Sequence, residues 1–251
     1  MTIREGDFIL LRYTGRFDDT VFDTTDEETA RDEDIHNPEA HYGPIVIRVG
    51  SGHVIPGLDE ALVGREKGEE GEVEVPPEKG FGERDEDLIE SISITRFKDK
   101  PKPGMRVKTD EREGVVVGVI GRRAKVDFNP PLAGETLHYT FTIDGVVEDP
   151  AEQIQGLIRL YTGRNDVDVT ISDGTAELLL PPGIVFDRRW LLWRSRVVHE
   201  IFEYIEGIDE VVFRETFRRP APAGEVTETE SGEAVSGEEP PEPEDESSTE
   251  E

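Results

Sequence analysis

At 251 residues the chain is long enough for more than one hydrophobic core and long for one compact fold, so two or three small domains are expected. Its 58 acidic against 28 basic residues give a formal net charge of −30, which repels nucleic-acid phosphates and anionic lipid surfaces and argues against both as partners. The absence of cysteine removes disulfides, thiolate nucleophiles and zinc-thiolate sites.

The acid excess is not confined to one end, since residues 220–251 hold 12 acidic and no basic residues and the remainder is still strongly acidic. Only 7 of the basic residues are Lys, against 21 Arg. This balance is the one expected of a protein from salt-loving archaea, where a Debye length of about 3 Å in molar salt screens self-repulsion. The opening M-T-I-R-E-G-D has no charged and apolar secretion signal, and no stretch approaches the roughly 20 apolar residues of a membrane span, so a cytoplasmic protein is expected.

In chain order, Asp7 to Tyr13 reads D-F-I-L-L-R-Y, a β-prone run, and the T-G after it predicts a turn. Phe22 and Asp23 lie in V-F-D-T-T, before a polar stretch from Asp26 to His41 that predicts a loop or short helix. Ile45 to Val49 predicts a strand; Pro56 then opens a short helix that Gly64 closes. Glu72 to Val75 alternates as a half-buried strand does and stops at two prolines. Leu88 to Asp127 breaks into short strand-like runs between Gly, Pro and charged turns, which predicts a small all-β unit.

Leu137, Tyr139, Phe141 and Ile143 then alternate on one face of a strand able to complete the first sheet. From Pro150 the pattern predicts a separate α+β domain. It has a helix near Ala151–Tyr161, strands near Val167–Ile171 and Ala176–Leu180, a longer helix near Asp187–Tyr204 and a last strand at Val211–Phe213. Trp190 and Trp193 are expected to pack in that domain. Beyond Arg219 almost nothing apolar remains to offset ordering entropy, which predicts a disordered acidic tail over 220–251.

Five segments, in order and at compatible spacing, resemble the FKBP-type peptidyl-prolyl isomerases. They are Y-T-G-R-F (Tyr13–Phe17), V-F-D-T-T (Val21–Thr25), V-I-P-G-L (Val54–Leu58), P-P-E-K-G-F-G (Pro76–Gly82) and P-L-A-G-E-T-L-H-Y (Pro131–Tyr139). None is specific alone; the series is. The insertion between F-G-E-R and N-P-P-L-A-G looks like the insert-in-flap domain of the long, SlyD-like members, and the C-terminal part is similar to that of the longest archaeal ones. The resemblance implies an α+β protein: an FKBP-type antiparallel sheet wrapped on a short helix (1–87 and 128–149), an inserted small all-β domain (88–127) and a C-terminal α+β domain (150–219).

The resemblance also implies the site. Tyr13, Phe22, Asp23, Val54, Ile55 and Phe81 match the catalytic pocket, with Ile45, Leu58 and Tyr139 as further substrate-binding positions. Asp23 matches the family's pocket carboxylate, which accepts a hydrogen bond from the Tyr13 hydroxyl, and the Ile55 N–H is expected to meet the substrate backbone. Two positions depart from many eukaryotic members, Leu58 standing for Trp and Phe81 for Tyr; a common His is also replaced, by Pro130 or Pro131.

Twisting an X-Pro amide crosses a barrier of about 18–20 kcal/mol, and an apolar pocket lowers it by favouring the less polar twisted form. That chemistry needs no cofactor or metal, and the scattered His36, His41, His53, His138 and His199 suggest no metal site. The expected partners are unfolded or nascent polypeptides with X-Pro bonds, held by the insert. The valine run V-V-V-G-V-I is open to two readings, insert core or client contact. Relatives with this C-terminal domain allow a homodimer. The rival reading is a catalytically weak holdase that only binds such segments.

Overall fold

The computed structural model describes residues 1–108 and 112–217. The expected disorder of 220–251 lies outside them. No helix among the described residues is long and apolar enough to cross a membrane.

Three sheets form. The first comprises β1 (Phe8–Phe17), β2 (Thr20–Thr24), β3 (Ile45–Arg48), β4 (Glu70–Val75) and β9 (Leu137–Val146). Its order is β2-β1-β9-β4, with β3 also on β1, and every pairing is antiparallel. Alternation along β9 puts Leu137, Tyr139, Phe141 and Ile143 on one buried face, as expected for a period-two strand. Onto that face packs α2 (Pro56–Leu62), opened by Pro at its first turn, with Leu58 and Leu62 fully buried. Gly57 lets helix and sheet close: a Cβ there would sit 2.4 Å from Val75 Cγ1. The short α1 (Glu27–Asp32) is capped by Asp26, whose side chain accepts from Thr29 N–H.

The second sheet, order β5-β8-β7-β6, is the insert: β5 (Ile89–Ser93), β6 (Arg106–Lys108), β7 (Glu113–Ile120) and β8 (Arg123–Asp127), all antiparallel. Its buried core is small, formed by Val116, Ala124, Val126 and Phe128. The valine run therefore divides. Val116 is core, whereas Val115, Val117 and Val119 are 40%, 44% and 37% exposed on the other face. Asp85 N–H donates to Asn129 Oδ1 and Asn129 Nδ2 to Asp85 O, which ties together the two chains leading into the insert.

The third sheet joins β10 (Asp168–Ser172), β11 (Thr175–Leu180) and β12 (Glu210–Glu215), with β11 and β12 parallel. It packs with α3 (Pro150–Thr162) and α4 (Arg188–Tyr204), both N-capped by Asp, at Asp149 and Asp187. This part does not close a core by itself. Phe8 and Val147 of the first sheet join its buried cluster, and Gly156 of α3 lies so close to Val46 that a Cβ would sit 2.4 Å from it. Trp190 is buried as expected, while Trp193 is 38% exposed and stacks on Tyr161.

One local expectation is corrected. The T-G after Tyr13 is not a turn: β1 continues to Phe17, and the chain reverses at Asp18, which has φ 48°. Gly15 sits instead at a register shift against β2, where the missing side chain admits two aromatic rings.

Candidate active site

The β1–β2 hairpin sets the first edge of the site. Thr14 pairs with Thr24 and Gly15 with Asp23, so Tyr13, Phe22 and Asp23 come together from adjacent strands. Across β1, Gly15 pairs with Tyr139 on β9. A Cβ on Gly15 would lie 2.8 Å from both Phe22 Cζ and Tyr139 Cε1, so only glycine leaves room for the two rings.

The rings meet at angles that suit their quadrupoles. Phe22 stands edge-on to Tyr139, centroids 5.8 Å apart at 87°, and to Phe81 at 6.0 Å and 76°. Tyr13 and Tyr139 lie 5.8 Å apart, tilted by 54°. Phe81 follows the single helical turn Pro77–Lys79 and is 39% exposed; Gly82, at φ 88°, donates to Pro77 O and accepts from Gly134 N.

The segment before α2 adds apolar side chains to the same cluster. Val54 and Ile55 are half-buried and belong, with Tyr13, Phe22 and Ile45, to the hydrophobic cluster beneath the site. Ile55 is the N-cap of α2, and its carbonyl accepts from Leu58 N and Asp59 N. Among the described residues its own N–H has no intramolecular acceptor. Leu58 has no exposed surface and lies beneath the cup rather than lining it. Tyr13, Phe22, Ile45, Val54, Ile55 and Tyr139 thus share one hydrophobic cluster with the buried Leu58, while Phe81 stands against Phe22 and Asp23 is bonded to Tyr13.

The Tyr13 hydroxyl donates to Asp23 Oδ2 at 2.9 Å. Desolvation holds the Asp23 carboxyl above its ordinary value, and the bonds from Tyr13 and from the Thr24 N–H partly offset this. Burial, then the neighbouring Asp23 charge, raises both the Tyr13 and Tyr139 phenols. Tyr13 therefore remains a neutral donor at physiological pH.

Sequence reasoning missed the polar frame behind the Val54–Ile55 wall. Buried Asp59 accepts from Gly50 N at 2.9 Å and Gly52 N at 3.2 Å, and His53 meets Glu200 of α4. An acid four residues past Ile55 was a local signal for the first. No local signal ties His53 to a residue 147 positions later.

Among the described residues no group of three or more His, Cys, Asp and Glu side chains is arranged to hold a metal ion. A separate groove of about 570 Å³ runs where the insert meets the loop carrying Pro130 and Pro131, lined by Val107, Val115, Val117, Leu132 and Ala133 among others.

An antiparallel sheet over one short helix, with an aromatic cup at its edge and a β unit inserted beside it, is the fold of an FKBP-like isomerase. Comparison with known families and proteins agrees. The model of the FKBP-type peptidyl-prolyl cis-trans isomerases matches residues 1–98, that of the FKBP26 IF domain 92–132 and that of the FKBP26 C-terminal region 150–218. A short-type peptidyl-prolyl cis-trans isomerase of Methanocaldococcus jannaschii is 39% identical over 153 residues, covering 60% of this chain and 96% of the relative. The SlyD isomerase of Treponema pallidum is 35% identical over 140 residues, 53% of this chain and 80% of the relative. A 16 kDa FKBP-type isomerase of Escherichia coli is 29% identical over 157 residues, 60% and 96%. The chain belongs to the family of FKBP-type peptidyl-prolyl cis-trans isomerases, of the SlyD-like kind that carries an IF domain.

Proposed function

We propose that the cup of Tyr13, Phe22, Asp23, Val54, Ile55 and Phe81, completed by Ile45 and Tyr139 and backed by Leu58, holds the prolyl ring of an X-Pro segment and catalyses its isomerisation. The observation that carries this is the convergence of Phe22 and Tyr139 above Gly15, with Phe81 edge-on to Phe22 and the bonded Tyr13–Asp23 pair beside them. A planar amide is polar and resonance-stabilised; the twisted amide has a less polar carbonyl and a more basic nitrogen. Apolar walls stabilise the twisted form relative to the planar one, which is differential binding of the transition state. The unpaired Ile55 N–H is placed to fix the peptide backbone and reduce its freedom before rotation. Asp23 orients Tyr13 and interacts with the carbonyl; no proton transfer is needed.

The insert supplies capture. Among the described residues, β7 beyond Val116, whose N–H and carbonyl still bond Met105 and Gly104, has β8 on one side and no strand partner on the other, and Val117, Val119 and Ile120 are exposed there. Such an edge accepts an extended apolar chain and raises its effective concentration at the cup. The division into isomerase, insert and C-terminal parts supports this sharing of tasks. The C-terminal part also exposes Phe186, Leu191 and Leu192, at 84%, 47% and 71%, which favours a homodimer through that face. The acid excess with few lysines fits a halophilic, archaeal setting in the cytoplasm.

The test is the cis-to-trans relaxation of an Ala-Leu-Pro-type peptide in high salt. The wild type should accelerate it, and Asp23→Ala and Phe81→Ala should each reduce the acceleration. No acceleration over buffer by a folded wild type would leave the holdase reading, in which the chain binds such segments without turning them over.

A further inference from the structure

Behind the Val54–Ile55 wall lies a buried carboxylate that the isomerisation chemistry does not use. Glu200 has no exposed surface, and His53, the residue before Val54, has a side chain only 1% exposed. Glu200 Oε2 lies 3.1 Å from His53 Nε2, and its Oε1 accepts from Tyr161 Oη at 2.5 Å and Arg196 Nε at 2.6 Å.

The direction of the His53 bond follows from its other nitrogen. His53 Nδ1 accepts the Arg48 backbone N–H at 3.0 Å, so the neutral ring carries its proton on Nε2 and donates it to Glu200. The ring is wedged edge-on against Tyr161 and Tyr204, with centroids 6.0 and 6.4 Å away. The segment is also fixed just upstream, where Asp59 binds the N–H groups of Gly50 and Gly52. Val54 and Ile55 thus lie between these two anchors and the start of α2.

A buried carboxylate is costly unless its lone pairs are satisfied, and Glu200 receives three donors from three different elements. One of the three belongs to the wall of the cup and the other two to α3 and α4. We propose that Glu200 is a positioning residue for X-Pro isomerisation: through the Nε2–H of His53 it fixes the Val54–Ile55 wall, so that the C-terminal helix α4 sets the catalytic competence of a pocket built by the first sheet. This rests on the reading of that wall as part of the prolyl site.

The experiment uses the full chain in high salt and compares peptide kcat/KM for wild type, Glu200→Gln, Glu200→Leu and His53→Phe. Leu178→Val, a change in the same C-terminal core away from His53, is the control for stability. Glu200→Gln can still accept from His53 and should stay within about twofold of wild type, whereas Glu200→Leu and His53→Phe should each lose about fivefold or more. Leu178→Val should lower the melting temperature without changing kcat/KM at a temperature where all variants are folded.

If Glu200→Leu does not fold, His53→Phe reads the same link from the loop side while keeping the ring contacts. The ¹⁵N shifts of His53 in the wild type form an independent reading and should show the Nε2–H tautomer. Wild-type kcat/KM in a folded His53→Phe, or an Nδ1–H tautomer, would overturn the proposal. Phe81→Ala separates the two readings. If it too leaves kcat/KM unchanged, the prolyl site itself is misplaced; if it lowers kcat/KM while the Glu200 and His53 variants do not, only the positioning role fails.

Discussion

The Tyr13 hydroxyl and the Asp23 carboxylate, on neighbouring strands of one hairpin, are joined by a 2.9 Å hydrogen bond at the rim of the aromatic cup. Tyr13 is the donor and Asp23 the acceptor, so the two side chains should act as a unit. Tyr13→Phe and Asp23→Ala are each expected to lower peptide kcat/KM. The double variant should lose less than the two losses combined, because breaking either side releases the same bond, worth about 1.5–3 kcal/mol when charge-assisted. Full additivity in the cycle would show that the pair is not coupled.

Gly15 is the residue on which the rings depend. Gly15→Ala introduces a Cβ at 2.8 Å from Phe22 and Tyr139, and an overpacked site of this kind costs about 1–3 kcal/mol. Thermal unfolding should move down, and the near-ultraviolet circular dichroism of the tyrosines should change. A variant with wild-type stability and spectrum would mean that the rings do not need this space.

The fold was legible in the sequence because each motif is local: Y-T-G, F-D, V-I-P-G-L and F-G sit on short elements whose order carries it, and the candidate site follows from that order. The length of β1 was not. Thr14–Gly15 has turn composition, and only the packing of Phe22 and Tyr139 explains a glycine inside a strand. The valine run left core and client contact open, and alternation along β7 sends Val116 to the core and its neighbours Val115 and Val117 outward. The link between His53 and Glu200 depends on how α4 docks, and no periodicity within either segment encodes it.

Replacing residues 88–127 by a short linker, with the Asp85–Asn129 pair retained, should spare peptide isomerisation and lower the rate of proline-limited protein refolding by about tenfold or more, since effective concentration is lost. Parallel measurements with a tetrapeptide and a refolding protein check this. Equal losses in both would contradict a capture role for the insert.

Acid should find Glu200. Burial works to raise its pKa, but the bonds from His53, Tyr161 and Arg196 outweigh this and hold it below the ordinary 4.5. Its contribution is thus fully present above pH 4.5 and is lost as pH falls through the lower folded value. Of the groups facing it, the Tyr161 hydroxyl is pushed up to about 12, by burial first, and stays protonated throughout. The stability advantage of wild type over Glu200→Gln, measured by thermal unfolding in high salt, should hold from neutral pH to about pH 4.5 and shrink below it. An advantage that grows on acidification would reverse the assignment.

On the proposed reading one aromatic cup both binds and turns the X-Pro bond. Its most direct measurement is NMR exchange spectroscopy of an Ala-Leu-Pro-type peptide with the ¹⁵N-labelled full chain in high salt, reading the isomerisation rate and the perturbed amides together. Faster cis–trans exchange is expected, with the amide of Ile55 and those flanking Phe22, Phe81 and Tyr139 shifting in the same titration. Unchanged exchange, or shifts confined to the insert, would contradict it.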